Sequence, residues 1–233
     1  MTIAYFLHVD GPAGQEEKLQ AWADGVFGPA LHHSAPAVRI EAYAPQSVED
    51  PYLGCESGKL LMVQADFATR AGLEAAMANV AVADALSAMP GNGDFQATTE
   101  AFSARHFPLL DGSSPPRRAP VSFVVRYYSP VEKAQAFRDH YCAHHPPIMA
   151  HFPRIRNILC YSPVDWRDAN RLMPTDSFLG NEIVFDSIED LNAAMASQVR
   201  HELRADYHHF PPHEGATSHH AMCRRVLFAG STD

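Results

Sequence analysis

The sequence has few of the features that several common classes of protein require. No apolar run approaches the ~20 residues needed to span a bilayer, and the N-terminal segment lacks the basic region of a signal peptide, so we expect neither element. Acidic side chains outnumber basic ones by 27 to 18, and the formal net charge of −9 argues against a nucleic acid or an anionic membrane as a partner. There is no phosphate-binding glycine loop, nucleophile elbow or dinucleotide-binding fingerprint, so we expect no ATP, NAD or other cofactor.

Cysteine is also scarce. The four cysteines are Cys55, Cys142, Cys160 and Cys223, and no two of them form a CxxC pair. Together with the missing signal peptide, this spacing predicts reduced thiols and a cytoplasmic protein. Cys160 lies in a strand-like apolar segment, where we expect a buried side chain and no nucleophile.

Histidine is unevenly distributed. Of the 14 histidines, four lie in residues 1–118 and ten in residues 119–233. Because histidine titrates near neutral pH and is the commonest acid–base side chain, we expect chemistry in the second half. The alternative is that most of these histidines lie on a solvated surface.

The chain contains an internal repeat. The segment Leu73–Ala78 (LEAAMA) matches Leu191–Ala196 (LNAAMA), which begins 118 positions later. Further pairs follow at the same or nearly the same spacing: Phe67 and Phe185, Pro12 and Pro130, and Pro36–Arg39 and Pro153–Arg156. Collinear matches at a fixed period indicate two related structural units.

Each half has the pattern of a β-α-β-β-α-β unit. In the first half we predict strand Ile3–Val9, helix Gln15–His33, strands Val38–Ala44 and Lys59–Phe67, helix Arg70–Met89 and strand Phe95–Phe102. In the second half we predict strand Val121–Tyr128, helix Glu132–Ala150, strands Ile155–Tyr161 and Asn181–Phe185, helix Ile188–Tyr207 with Ser187 as its N-cap, and strand Ala221–Phe228. The linker-like residues 111–120 separate repeat 1 (residues 1–110) from repeat 2 (residues 121–233).

A four-stranded antiparallel sheet with both helices on one face leaves its other face bare, and that face must be covered. We therefore predict an α+β fold in which the two ferredoxin-like repeats press their bare faces together and form a closed barrel within one chain. The alternation of side chains along the strands predicts that the following residues face the interior of the barrel: Phe6, His8, Asp10, Val124, Arg126 and Tyr128. Such polar groups are typical of a lined cavity; the alternative is that they lie in water near the strand ends.

The second half contains a distinctive set of spaced aromatic, proline and histidine residues. In order they are Tyr127–Pro130, Phe137, Tyr141, His145–Ile148, Phe152–Ile155, Ala205–Tyr207 and Phe210. This set resembles the EthD family of the dimeric α/β-barrel superfamily over about residues 121–211, although the family usually has glycine where this chain has Arg154. Methylmuconolactone methylisomerases resemble the same region, with a histidine at the place of His145.

The resemblance implies an intramolecular dimeric α/β barrel that acts on a small molecule. It does not name a reaction, because relatives in the superfamily are lactone isomerases, polyketide cyclases, monooxygenases and haem enzymes. At the position that matches His145, the first half has Gly28. We therefore expect one asymmetric site in repeat 2 and a degenerate site in repeat 1.

His145 is the first candidate catalytic residue. It follows Tyr141 by about one helical turn, and Pro146–Pro147 predict that the helix ends there. A histidine at a helix C-terminus has its charged form favoured by the helix dipole and can transfer a proton near pH 7. The alternative is a capping histidine that only bonds a terminal carbonyl.

Tyr128 is the second catalytic candidate, because a tyrosine at a strand end could donate a hydrogen bond to a substrate carbonyl. Arg126 beside it could bind a carboxylate. The alternative for this pair is cross-strand packing with a surface arginine. The other predicted substrate contacts are Tyr141, His209, Phe210 and His8.

The histidine-rich residues 208–220 also suggest a metal site. However, they contain no HExxH or CxxC motif, and two prolines between His209 and His213 prevent a shared helical turn. We therefore predict no metal and a solvated or pocket-lining histidine cluster.

Two functional hypotheses follow. The first is a cofactor-independent isomerase, cyclase or lyase that uses His145 on a small apolar or aromatic-derived compound or lactone, in the catabolism of aromatic compounds. The second is a binding or accessory protein for a hydrophobic small molecule, and a haem-binding or monooxygenase-type relative is a further alternative. All of them require a small-molecule partner, and the sequence leaves homo-oligomerisation open.

Overall fold

A computed structural model of the chain describes residues 2–35, 37–53, 59–91 and 95–230. Pro36, which was used to align the repeats, and Cys55 lie outside the described residues. The first half contains β1 (Ile3–Asp10), α1 (Glu16–Trp22), a π-helical segment (Ala23–Phe27), α2 (Gly28–Ser34), β2 (Ala37–Pro45), β3 (Lys59–Phe67), α3 (Arg70–Met77), α4 (Val80–Ser87) and β4 (Gln96–Phe107). The second half contains β5 (Val121–Tyr128), α5 (Ala134–Met149), β6 (Asn157–Pro163), β7 (Met173–Pro174), β8 (Ser177–Phe185), α6 (Ile188–Met195), α7 (Gln198–Tyr207) and β9 (Thr217–Ala229). No helix in these ranges is long and apolar enough to cross a membrane.

The strands form a closed barrel. The first half has the strand order β4-β1-β3-β2, and the second half has the equivalent order β9-β5-β8-β6. The halves join where β2 pairs with β9 and where β4 pairs with β6, both antiparallel, which closes an eight-stranded barrel. The predicted α+β fold of two ferredoxin-like repeats in one intramolecular barrel is therefore confirmed.

Strand alternation gives the barrel wall an inner and an outer face. The outer face packs against the helices through Tyr5, Leu7 and Val9 in the first half and Phe123, Val125 and Tyr127 in the second half. Phe6 and Val124 lie in a third cluster, on the inner face. This is the predicted assignment of strand faces, and it leaves each half with its own core between sheet and helices.

The barrel interior holds charged residues that pair with one another. Arg117 lies 2.5 Å from Glu41 (Nη2 to Oε2) and 2.8 Å from Glu182 (Nη1 to Oε2), and Arg224 lies 3.1 Å from Glu41. We call these four residues the barrel network. Burial alone would raise the pKa of Glu182, but Arg117 and Arg224 more than offset it and lower that pKa to about 2. Of the polar residues that the sequence directed to the interior, His8 and Arg126 are buried there, whereas Asp10 and Tyr128 at the strand ends are partly exposed.

The predicted second helix of each half is two helices. Each half begins this pair with the same cap: Thr69 accepts a hydrogen bond from the Gly72 amide at 3.1 Å, and Ser187 accepts one from the Asp190 amide at 3.2 Å. In the first half the break follows Ala78, and the Asn79 side chain caps α4. The apolar spacing by itself predicts one long helix, but the Asn79 cap begins a new helix within it.

Three strands extend several residues beyond their predicted ends: β4 at its C-terminal end, and β8 and β9 at their N-terminal ends. β4 continues to Phe107 because its last residues, Phe102–Phe107, pair with β6 of the other half. β8 begins at Ser177, where it already pairs with Tyr128. These extensions depend on pairing between distant segments, which local sequence does not specify.

Candidate active site

A cavity of about 310 Å³ lies between the outer face of the second-half sheet and helices α5, α6 and α7. Its apolar and aromatic lining is Leu53, Phe123, Val125, Tyr127, Tyr141, Met149, Phe152, Ile183, Met195, Leu203 and Tyr207. Its polar lining is His145, Asn181, Arg200, Arg204, Thr217 and His219. A cavity that combines apolar and aromatic side chains with several polar groups is typical of a small-molecule site.

Both halves build this cavity. The segment after β2 reaches across to α7, where Asp50 forms a two-pronged ion pair with Arg200 at 2.8 and 3.1 Å. The Tyr52 hydroxyl hydrogen-bonds the His201 ring, and Leu53 lines the cavity itself. The first repeat, in which the sequence predicts a degenerate site, thus also covers the cavity of the second repeat.

His145 is anchored by a carboxylate. Its Nδ1 atom lies 2.7 Å from Oδ2 of Asp206 at the end of α7, and its ring packs against Tyr141 and Phe210. Because the carboxylate accepts a hydrogen bond from the Nδ1–H group, Nε2 is the ring nitrogen left for a ligand in the cavity. This arrangement matches the base and orienting carboxylate of known acid–base pairs.

Burial determines the charge state of this pair. Burial lowers the pKa of His145 below its ordinary 6.5, and the hydrogen bond to Asp206 only partly opposes that shift. The same hydrogen bond lowers the pKa of Asp206. At neutral pH the pair is therefore a neutral imidazole and a carboxylate, which suits a general base.

The position of His145 differs in one respect from the sequence-based expectation. Pro146 and Pro147 lie inside α5, which continues to Met149, and the Ala150 amide still bonds the Pro146 carbonyl at 3.0 Å. The prediction that the helix ends at His145 with its charged form favoured is wrong. The side chain is buried, with 7% of its surface exposed, and burial favours the neutral form.

Other polar groups of the cavity come from β8 and α7. Asn181 is fully buried, its Nδ2 donates to the Leu159 carbonyl at 2.9 Å, and its Oδ1 has no hydrogen-bond partner among the described residues. Arg204 lies over the rings of Tyr52 and Tyr207, at 5.5 and 5.2 Å from their centroids. Burial raises the pKa values of Tyr127 and Tyr141, so their hydroxyls stay protonated and can donate hydrogen bonds.

The structure brings only part of the predicted site together. Tyr141 and His145 line the cavity, and Phe210 packs behind both rings at 5.3 and 5.0 Å. His209 is exposed in the turn after α7, and its Nδ1 bonds the Ala205 carbonyl near the end of that helix. Within the described residues no group of three or more His, Cys, Asp or Glu side chains is placed to hold a metal.

Arg126, His8 and Tyr128 lie in the barrel interior and do not reach the cavity. Nε of Arg126 and Nε2 of His8 both contact Oε1 of Glu100, at 2.6 and 2.7 Å, and Tyr128 bonds Ser218. The reason is strand alternation, which places them on the inner face while the cavity lies on the outer face. Burial lowers the pKa of His8, and Arg126 forms an ion pair with Glu100.

Several cavity residues were not predicted from the sequence. Asp206 was noticed only as part of a family-like helix ending, and nothing local marks it as the partner of a histidine 61 positions away. Asn181 carries a detectable signal, since it is a polar residue at an outward, helix-facing position of a fully buried strand. No sequence signal indicates that Asp50, Tyr52 and Leu53 contribute to the cavity.

The matching region of the first half lacks the His145–Asp206 pair. At a spacing of 117 residues Gly28 stands for His145, and at a spacing of 118 residues Ala88 stands for Asp206 and Val63 for Asn181. The space between its sheet and helices contains Trp22, stacked on Phe27 at 4.9 Å, and Trp166, which packs on Tyr5 at 5.6 Å. Bulky aromatic side chains here replace the polar groups of the second half.

Gly28 has no room for a side chain. A Cβ atom there would lie 2.8 Å from the Ala23 carbonyl oxygen and 2.9 Å from Cδ1 of Leu227, whereas one at Gly25, in the same helical run, would meet nothing within 4 Å. We predict that Gly28→Ala lowers the free energy of unfolding by about 1–3 kcal/mol. Gly25→Ala should be neutral or stabilising by up to about 1 kcal/mol. Urea denaturation of both variants checks this, and equal effects would contradict it.

Fold and site together define a duplicated dimeric α/β barrel with a small-molecule cavity in its second half. Residues 129–211 match the model of the EthD domain, so the family resemblance seen in the sequence is confirmed for this half. Among solved structures, an anthrone oxidase-like protein is similar at a TM-score of 0.62 and 13% identity, covering 99% of this chain and 96% of that one. A chlorite dismutase from Candidatus Nitrospira defluvii is similar at a TM-score of 0.54 and 10% identity, covering 95% and 90%. No curated protein matches the chain in sequence.

Proposed function

We propose that this protein is a cofactor-independent enzyme that transfers a proton on a small apolar or aromatic-derived compound, such as a lactone. The observation that supports it most is the 2.7 Å contact between Nδ1 of His145 and Asp206. This contact leaves Nε2 available as a proton-accepting base in the cavity. Such a site suits an isomerase, cyclase or lyase. We place its activity in the catabolism of aromatic compounds and in the cytoplasm.

The proton step uses groups of this chain alone. Nε2 of neutral His145 takes a proton from a carbon next to a substrate carbonyl. The electron pair of the C–H bond forms a C=C bond, and the π pair of the carbonyl moves onto its oxygen to give an enolate. Asp206 stabilises the imidazolium that forms. Tyr141 and Arg204 are the donors that we assign to the enolate oxygen or a carboxylate, because both line the cavity.

Deuterium exchange tests this proposal without knowledge of the complete reaction. Aromatic ketones and lactones with acidic C–H bonds are incubated with the protein in D₂O, and mass spectrometry follows deuterium incorporation. We expect catalysed exchange into at least one compound that binds the cavity. Binding without any exchange across the set would favour the hydrophobic binding protein, which is the alternative hypothesis.

A haem-binding protein is the further alternative. His145 could ligate a metal through Nε2, with Asp206 orienting the ring from the other side. The cavity of about 310 Å³ lies at the lower end of the range for drug-sized ligands, which favours a compound smaller than a porphyrin. We expect no Soret band after haemin is added to the purified protein, and a stoichiometric band that is lost in His145→Ala would establish the alternative.

A further inference from the structure

A second cavity, of about 330 Å³, lies beside helix α5 and strands β4 and β6. Its lining includes two cysteines, Cys142 and Cys160, and three charged residues, Arg105, Arg138 and Asp139. It is lined by none of the residues of the His145 cavity. The proposed reaction does not use it.

The two cysteines form an unequal pair. Cys142 on α5 is partly exposed, whereas Cys160 on β6 has 2% of its surface exposed, and both are free thiols. Both side chains line the same cavity, and each shifts the pKa of the other. The pair thus combines one thiol that a small reagent can reach with a second, buried thiol at the same cavity.

The surroundings favour a thiolate at Cys142. Cys160 has the largest effect, and Arg105 and Arg138 add to it, while burial and Asp139 oppose it. Together they lower the pKa of Cys142 to about 7, and burial raises the pKa of Cys160. At neutral pH Cys142 is therefore more readily present as the nucleophilic thiolate than an ordinary cysteine is.

We propose that Cys142 and Cys160 are a redox pair, in which Cys142 is oxidised by hydrogen peroxide and Cys160 resolves the product as an intramolecular disulfide. The Cys142 thiolate attacks one peroxide oxygen, so that an S–O bond forms, the O–O bond breaks and the departing hydroxide takes a proton to become water. The Cys160 sulfur then attacks the sulfenic sulfur. The S–S bond forms, the S–O bond breaks, and the Cys160 proton leaves with the hydroxyl group as a second water, so two electrons pass from the sulfurs to the peroxide.

The position of the pair connects this chemistry to the His145 cavity. Cys142 directly follows Tyr141, and Cys160 pairs with Asn181 in the sheet. Both Tyr141 and Asn181 line the His145 cavity. A disulfide would therefore form directly behind two residues of the cavity wall, although the redox pair itself does not depend on the proposed enzyme activity.

The test uses the full chain with Cys55→Ser and Cys223→Ser, which leaves Cys142 and Cys160 as its only thiols. After treatment with hydrogen peroxide near pH 7, we expect the intact monomer to lose two hydrogen atoms and to resist iodoacetamide until dithiothreitol is added. When Cys160→Ser is added, circular dichroism confirms folding and Cys142 should gain oxygen atoms instead. A monomer that keeps both thiols, gains only oxygen with Cys160 present, or forms only cross-linked dimers would overturn the proposal.

A rate comparison within the unmutated protein tests the pair without any risk to folding. Cys142 and Cys223 are both partly exposed free thiols, so a reagent can reach either of them. We expect iodoacetamide to alkylate Cys142 about tenfold faster than Cys223 at pH 7, because the reaction requires the thiolate. Equal rates would contradict a reactive Cys142.

Discussion

Replacement of His145 by glutamine is expected to slow deuterium exchange by about 10²–10⁴-fold, the usual contribution of a general base. Glutamine keeps a polar group of similar reach, yet it cannot accept the proton in this step. The binding constant of the same compound should change little, because the cavity walls remain. The exchange rate and binding affinity of the variant are measured side by side, and far-UV circular dichroism confirms that it is folded.

His151→Gln is the matched control, since His151 is an exposed histidine just beyond the same helix. It should exchange at the wild-type rate. Asp206→Asn should reduce the rate as well, but by less than His145→Gln, because asparagine can still accept the Nδ1 hydrogen bond without stabilising the imidazolium. If His145→Gln kept most of the rate, the proton would have to be taken by another group.

Removal of the Arg117 side chain is expected to destabilise the whole barrel. Breaking a buried ion pair costs about 3–5 kcal/mol, because the remaining charge is left without compensation. Arg117→Ala leaves Glu182 without its closest cation, although Arg224 still lies 3.1 Å from Glu41. We therefore expect the lower end of that range, about 3 kcal/mol, measured by urea denaturation at pH 7.

The neighbouring Arg118 provides the control, since it is exposed while Arg117 is buried. Arg118→Ala should change stability by less than about 0.5 kcal/mol. The difference between wild type and Arg117→Ala should also shrink as the pH falls below the ordinary 4.5 of Glu182. In the wild type, protonation of Glu182, whose pKa is lowered to about 2, removes the stability that this lowered pKa provides. Without Arg117 the pKa of Glu182 is lowered less, so the variant loses less stability over the same pH range. Equal losses from the two arginine variants would show that the barrel network contributes no net stability.

The fold was predictable because it rests on short-range patterns that occur twice. The spacing of the LxAAMA segments, the alternation in Ile3–Val9 and Val121–Tyr128, and the need to cover two bare sheet faces lead to the barrel without any structure. Strand alternation also identified Phe6 and Val124 as interior residues. What alternation cannot show is which face holds a cavity. His8, Arg126 and Tyr128 were therefore expected at the site although they lie on the inner face.

The rest of the site depends on contacts between distant segments. Asp206 reaches His145 only because α7 packs on α5, and Asp50 reaches Arg200 only because a first-half loop lies across the second half. Arg117 looked like part of a solvated linker, yet it enters the barrel between carboxylates from both halves. In each case a polar residue in an unremarkable local sequence gains its role from a partner that no local pattern specifies.

The protonation state of His145 is the most direct test of the central claim that a neutral imidazole, held by Asp206, is the base. Long-range ¹H–¹⁵N NMR on protein with ¹⁵N-labelled histidine distinguishes the two ring nitrogens and the charged form. At pH 7 we expect Nδ1 of His145 to be protonated and Nε2 to be unprotonated, with a titration midpoint below 6.5 that falls further in Asp206→Asn. An imidazolium at pH 7, or a proton on Nε2 in place of Nδ1, would contradict the account.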